Sequence, residues 1–120
     1  MYGSFAFGPD GMFAYAHGII IGKRDLQNTF EMEVFKKFGS DTYVTSGMSF
    51  SPDGLYLAVS GFALNEGFIS VFKVNHCLKR TSVNMIFDKP VYDVSFSSDG
   101  KYLAAVIEPN QAVVYEVFRK

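Results

Sequence analysis

SFSPDG at residues 49–54 returns as SFSSDG at 95–100, and a close relative, FAFGPDG, stands at 5–11. The glycines that end the three phrases, Gly11, Gly54 and Gly100, are 43 and 46 residues apart. The phrase has a direct physical reading as a turn. Proline presets φ at the first turn position, aspartate hydrogen-bonds its own backbone, and glycine accepts a positive φ. Each copy follows an alternating stretch, at 4–7, 47–50 and 93–96, and precedes a second one, at 12–16, 55–59 and 101–105. Three hairpins of strand, turn and strand are therefore predicted. Asp10, Asp53 and Asp99 are residues that metal or acid–base chemistry uses. Standing one per turn, about a repeat apart, they read instead as side chains that lock the turns.

The remainder of each unit supplies further strands. In the second unit these are 68–74 and 79–87, the latter with Thr81, Val83, Met85 and Phe87 alternating. In the first unit the third strand is placed at 19–21 and the fourth at 29–35. Making 33–36 the third strand would leave too few residues before Gly47 for a fourth. A period near 43–46 with four strands per unit is the signature of a β-propeller blade. Inner blade strands are covered on both sides and become nearly continuous apolar runs, as 56–59 and 102–107 are. The predicted fold is thus all-β, a partial β-propeller of three antiparallel blades (about 1–44, 45–90 and 91–120) in one domain. The strands count as four, four and three, with the last blade lacking its outer strand. Closed propellers have four to eight blades. Three blades leave apolar faces at both ends and an open edge at 113–118, features that recruit partners. Other proteins or copies of the chain itself are expected to cover them.

Composition narrows the class. A chain of 120 residues, 48% hydrophobic and 19% charged, with 13 Phe and 7 Tyr, is a packed domain rich in residues that suit pleated surfaces. The formal net charge of −1 lacks the basic stripe of a nucleic-acid binder. The single cysteine, Cys77, makes no intrachain disulfide and belongs to no metal-ligand spacing. The first residues have no basic, apolar leader pattern, and no apolar run reaches the length of a spanning helix. A cytoplasmic or other intracellular setting is expected, away from membranes.

The pattern hydrophobic-x-Phe-Ser-Pro-Asp-Gly-x-x-Leu-Ala resembles the WD-repeat superfamily and related SPDG propellers. Phe50-Ser51-Pro52-Asp53-Gly54 with Leu57-Ala58 carries the resemblance most closely, and Phe96-Ser97-Ser98-Asp99-Gly100 with Leu103-Ala104 comes next. The chain departs from WD repeats in having no Gly-His before the first strand. Phe72-Lys73 and Tyr115-Glu116 stand where Trp-Asp would. The hydrogen-bonded network of those repeats is accordingly expected to be absent. Gly67-Phe68-Ile69-Ser70-Val71-Phe72-Lys73-Val74 is similar to units of lactonase-like propellers. Tyr15-Ala16-His17-Gly18 and Ile21-Gly22-Lys23-Arg24-Asp25 resemble short turns of phage and prophage propeller proteins.

Catalytic groups are sparse. His17 and His76 lack the partners of a nucleophilic triad, and His76 and Cys77, as extended neighbours, point to opposite faces. Glu31 and Glu33 share a strand face but suit a solvated edge. There is no Walker loop and no dinucleotide fingerprint. Loops on a rigid scaffold are the usual place for recognition. The connections between second and third strands, and between blades, are expected on one face. They include His17-Gly18, 38–43, 62–66, 88–90 and 108–111. From these, Phe62, Asn65, Glu66, Glu108 and Asn110 are the candidate partner-binding residues. The expected role is a non-enzymatic interaction or structural module of a larger propeller or multi-subunit assembly, with no cofactor and no metal. The alternatives are a fragment of a lactonase-like enzyme, or a virion or tail component.

Overall fold

The computed structural model describes residues 5–9, 13–15, 18–21, 33–34, 44–74 and 78–117. In it the second and third copies of the opening phrase form the same turn. Gly54 N donates to Ser51 O at 2.8 Å, and Gly100 N to Ser97 O at 2.9 Å. The glycines sit at φ 76° and 75°, in the left-handed region where a Cβ costs energy. Asp53 Oδ1 accepts from Ser51 Oγ at 2.7 Å and from Leu55 N at 3.0 Å. Asp99 Oδ1 accepts from Ser97 Oγ at 2.7 Å and from Lys101 N at 2.9 Å. Each serine also takes up the next strand, its Oγ accepting from Tyr56 N or Tyr102 N, both at 3.0 Å. So these two aspartates lock turns, as the sequence suggested. Asp10 lies outside the described residues.

The Asp99 turn carries a pH signature. The Lys101 amide, then the Ser97 hydroxyl, hold its carboxyl below the ordinary value of 3.8. A depressed folded-state pKa stabilises the fold above the unfolded value, and that contribution disappears as pH falls through the lower, folded value. Urea midpoints measured from neutral to strongly acidic pH should fall less steeply for Asp99→Asn than for the unaltered chain. Parallel curves would count against the carboxylate's role.

Among the described residues, eleven strands make three antiparallel sheets: β1 (Phe5–Phe7), β2 (Phe13–Tyr15), β3 (Gly18–Ile21) and β4 (Glu33–Val34); β5 (Val44–Phe50), β6 (Tyr56–Ala63), β7 (Glu66–Val74) and β8 (Leu78–Phe87); β9 (Val91–Phe96), β10 (Tyr102–Ile107) and β11 (Gln111–Glu116). Within each sheet the strands follow chain order. The expected grouping of four, four and three is the one observed, with no α-helix among the described residues and hence none able to cross a membrane. The sheets are not closed on themselves. Bounds differ from expectation in the middle sheet, where β5 starts at Val44 and β6 runs on to Ala63.

Register compares the three hairpins. Phe50 pairs with Leu57, Phe96 with Leu103 and Phe7 with Phe13, matching places in the ladders, although Phe13 lies two residues after its glycine and each leucine three. Two sheets also share a bulge. Thr45 faces Gly61 and Gly47 faces Ser60, leaving Ser46 extra. Val91 faces Ile107 and Asp93 faces Val106, leaving Tyr92 extra. A bulge re-aims the side chain it inserts.

The sheets stack face to face, and strand alternation sorts the middle sheet between two cores. Met48, Phe50, Leu57, Val59, Phe72 and Val74 turn to the first sheet, where Ala14 is buried and Ala6 packs alongside. Ala58, Ile69 and Val71 turn the other way, against Val91, Val94, Leu103, Ala105 and Ile107 of the third. Burying each large aliphatic side chain stabilises by about 1.5–3 kcal/mol. Polar atoms stitch the second seam. Ser46 Oγ donates to Val91 O at 2.7 Å, and Ser49 Oγ accepts from Phe96 N at 2.9 Å. Ser60 Oγ, fully buried, lies 3.0 Å from Ser46 Oγ.

The end sheets depart from the expectation of two covered faces. β6 is buried on both sides for most of its length. β10, although nearly as apolar, is buried only at alternate residues: Leu103, Ala105 and Ile107 are covered, while Tyr102, Ala104 and Val106 face out. The reason is that, among the described residues, no fourth sheet lies beyond it.

Candidate functional site

Three of the five sequence candidates meet in one groove between the second and third sheets. Phe62 is the penultimate residue of β6, Asn65 sits in the turn to β7, and Glu108 begins the turn from β10 to β11. Together with Val44, Ala63, Leu64, Pro90 and Tyr92 they line an open volume of about 520 Å³. Lining residues thus come from the second-to-third-strand turns of the second and third sheets and from the connection between those sheets, three of the five connections expected on one face. Glu66, the first residue of β7, is exposed beside Asn65. Asn110 is exposed in the adjacent turn and does not line the groove. His17, His76, Cys77, Glu31 and residues 38–43 lie outside the described residues.

Local chemistry explains the shape. Asn65 and Asn110 have φ of 59° and 58°, a conformation asparagine tolerates better than most residues. Asn110 ends a three-residue turn between the paired Ile107 and Gln111, where a left-handed third position is the common solution. Glu108 N donates to Pro90 O at 3.0 Å, tying that turn to the connection between the sheets. The groove wall is an aromatic corner, with the Phe62 and Tyr92 rings edge to face at 5.3 Å and 75°. Tyr92 Oη donates to Glu108 Oε2 at 3.2 Å. Leu64 stands at the lip, 89% exposed, an apolar group poised for contact.

Tyr92 is the residue that sequence reasoning missed. It occupies the bulged position, and its equivalent, Ser46, points to the third sheet instead. Simple alternation gives no sign of an extra residue, so nothing in the sequence marked Tyr92 for the groove.

The arrangement can hold an extended segment by apolar, aromatic and amide contacts, with carboxylates of Glu66 and Glu108 at its rim. No group of three His, Cys, Asp or Glu side chains converges among the described residues. In comparisons with known proteins, no family model and no curated protein matches the chain.

Proposed function

We propose that the chain is a three-blade section of a β-propeller, working as a non-enzymatic interaction module within a larger assembly. One observation carries this reading: both end sheets present, uncovered, the faces that the middle sheet uses to hold its neighbours. Such faces on a free surface are a mark of assembly. The groove at Phe62, Asn65 and Glu108, with Glu66 beside it, serves as the recognition face for a protein segment. Its lining of aromatic, amide and exposed apolar groups supports that use.

A peptide-display library panned on the 120-residue chain tests the recognition face. Binders should emerge that lose binding when Phe62→Ser, Asn65→Gly, Glu66→Gln and Glu108→Gln are combined, with the fold retained by circular dichroism. Binders indifferent to the combined change would remove the groove from the proposal. A lactonase and hydrolase screen, with and without divalent cations, should give no turnover. Turnover that follows the purified protein would overturn the non-enzymatic reading.

A further inference from the structure

We infer that the partner of each end face is a second copy of this chain, packed head to tail, so that two copies close a ring of six sheets. This rests on the reading of the ends as assembly faces.

Pairing register identifies what each end would meet. On the outer face of the first sheet, Phe5, Phe7 and Phe13 occupy the places of Met48, Phe50 and Leu57 in the second. Those three are buried against the sheet before them, whereas Phe5 and Phe7 are 63% and 72% exposed. The three phenylalanines contact one another edge to face or tilted, with centroids 5.2–6.1 Å apart, and form a continuous aromatic patch. On the outer face of the third sheet, Tyr102, Ala104 and Val114 occupy the places of Tyr56, Ala58 and Val71. Val71 is 9% exposed under the third sheet and Val114 is 65% exposed.

The two ends are therefore the two halves of a contact already made inside the chain. The tail face repeats the residues that receive a following sheet, and the head face supplies the residues that sit down on a preceding one. A polar contact repeats as well. Ser49 Oγ accepts from Phe96 N across the internal seam, and the equivalents are Ser95 on the tail and Phe7 on the head. Ser95 is exposed, its hydroxyl making only a 3.3 Å contact with Phe96 O. One place differs in kind: Asp93 stands where the second sheet has Gly47, and its Oδ1 lies in the internal seam, close to where a Cβ on Gly47 would be.

The contact is heterologous, joining different surfaces, and such contacts form rings when the rotation closes. Two copies of three sheets give six, within the range of closed propellers.

Light scattering and sedimentation on the 120-residue chain test this directly. The expected species has twice the 13.4 kDa mass of one chain. Phe7→Asp and Val114→Asp should each give a folded monomer at concentrations where the unaltered chain is paired. Mixed in equal amounts, they should form a two-chain species, because one intact head meets one intact tail. Phe5→Asp and Ala104→Asp provide a second pair should either variant fail to fold. If Val114→Asp stays paired while Phe7→Asp dissociates, the aromatic patches meet each other; head-to-tail packing is then wrong, although the ends remain assembly faces. A ladder of larger species overturns the closed ring. An unaltered chain that stays monomeric at all concentrations overturns both the inference and the reading beneath it.

Discussion

Val71→Asp is expected to cost the fold roughly 4 kcal/mol or more, and Val114→Asp about 1 kcal/mol or less. The substitution and its place in the repeat are the same. Val71 pairs with Ala58 and Val114 with Ala104, but β7 is an inner strand of its sheet and β11 an edge strand. Among the described residues two things differ, the cover over the side chain and the fourth strand that flanks β7 but not β11. Val71 sits in the core formed with Val91, Val94 and Leu103. An aspartate there gives up the burial of a valine and sets a carboxyl among apolar groups with no donor for it. At 114 the carboxylate stays in water, and the remaining cost is the poor fit of aspartate to a strand, about 1 kcal/mol at most. Urea denaturation at low protein concentration separates the two, since pairing of copies would otherwise add stability by mass action. Equal losses would mean that the third sheet's outer face is covered within the single chain, contrary to the stacking described.

How much of this was legible follows from what each feature depends on. The hairpins depend on residues a few positions apart, so SPDG and SSDG announced them, including the aspartate and glycine of the turn, while the part played by Ser51 and Ser97 emerged only in the structure. The grouping of strands followed from spacing alone. Strand ends were less legible. Ser60-Gly61 reads as a break, since neither residue is a strand former. Yet Gly61 pairs with Phe68, and Ser60 has its hydroxyl partner in Ser46, so β6 continues. Those partners are remote in sequence. The groove was read in part. Loops on one face follow from strand direction, which brought Phe62, Asn65 and Glu108 together correctly. Tyr92 depends on a bulge, which only the paired strand reveals. In β10 the sequence was in a sense ahead of the fold. Tyr102-Leu103-Ala104-Ala105-Val106-Ile107 is written for two covered faces, and one chain covers a single one.

Gly67→Ala is expected to cost about 3 kcal/mol, toward the upper end for overfilled sites, and to disturb the groove as well. A Cβ at Gly67 would lie 2.7 Å from Val91 N and 2.8 Å from Val91 Cγ2, and would press on Lys89 O. Two of these atoms are backbone, in the connection that carries the chain from the second sheet to the third. No flexible side-chain end can yield, so the connection itself must lift. Lifting it disturbs Val91, fully buried in the second core, and Pro90 O, the acceptor for Glu108 N. Stability and groove shape are thereby coupled through one methyl group. Gly54→Ala provides the comparison. There the demand is conformational, a left-handed φ of 76°, and the cost is about 1–2 kcal/mol with the groove untouched. Denaturation midpoints should rank Gly67→Ala as the more damaging. The tyrosine signal of Tyr92, followed by NMR, should move only in Gly67→Ala. A Gly67→Ala protein with near-normal stability would show that the connection has room to move, and that the close approach of the sheets at this point is not what positions the groove.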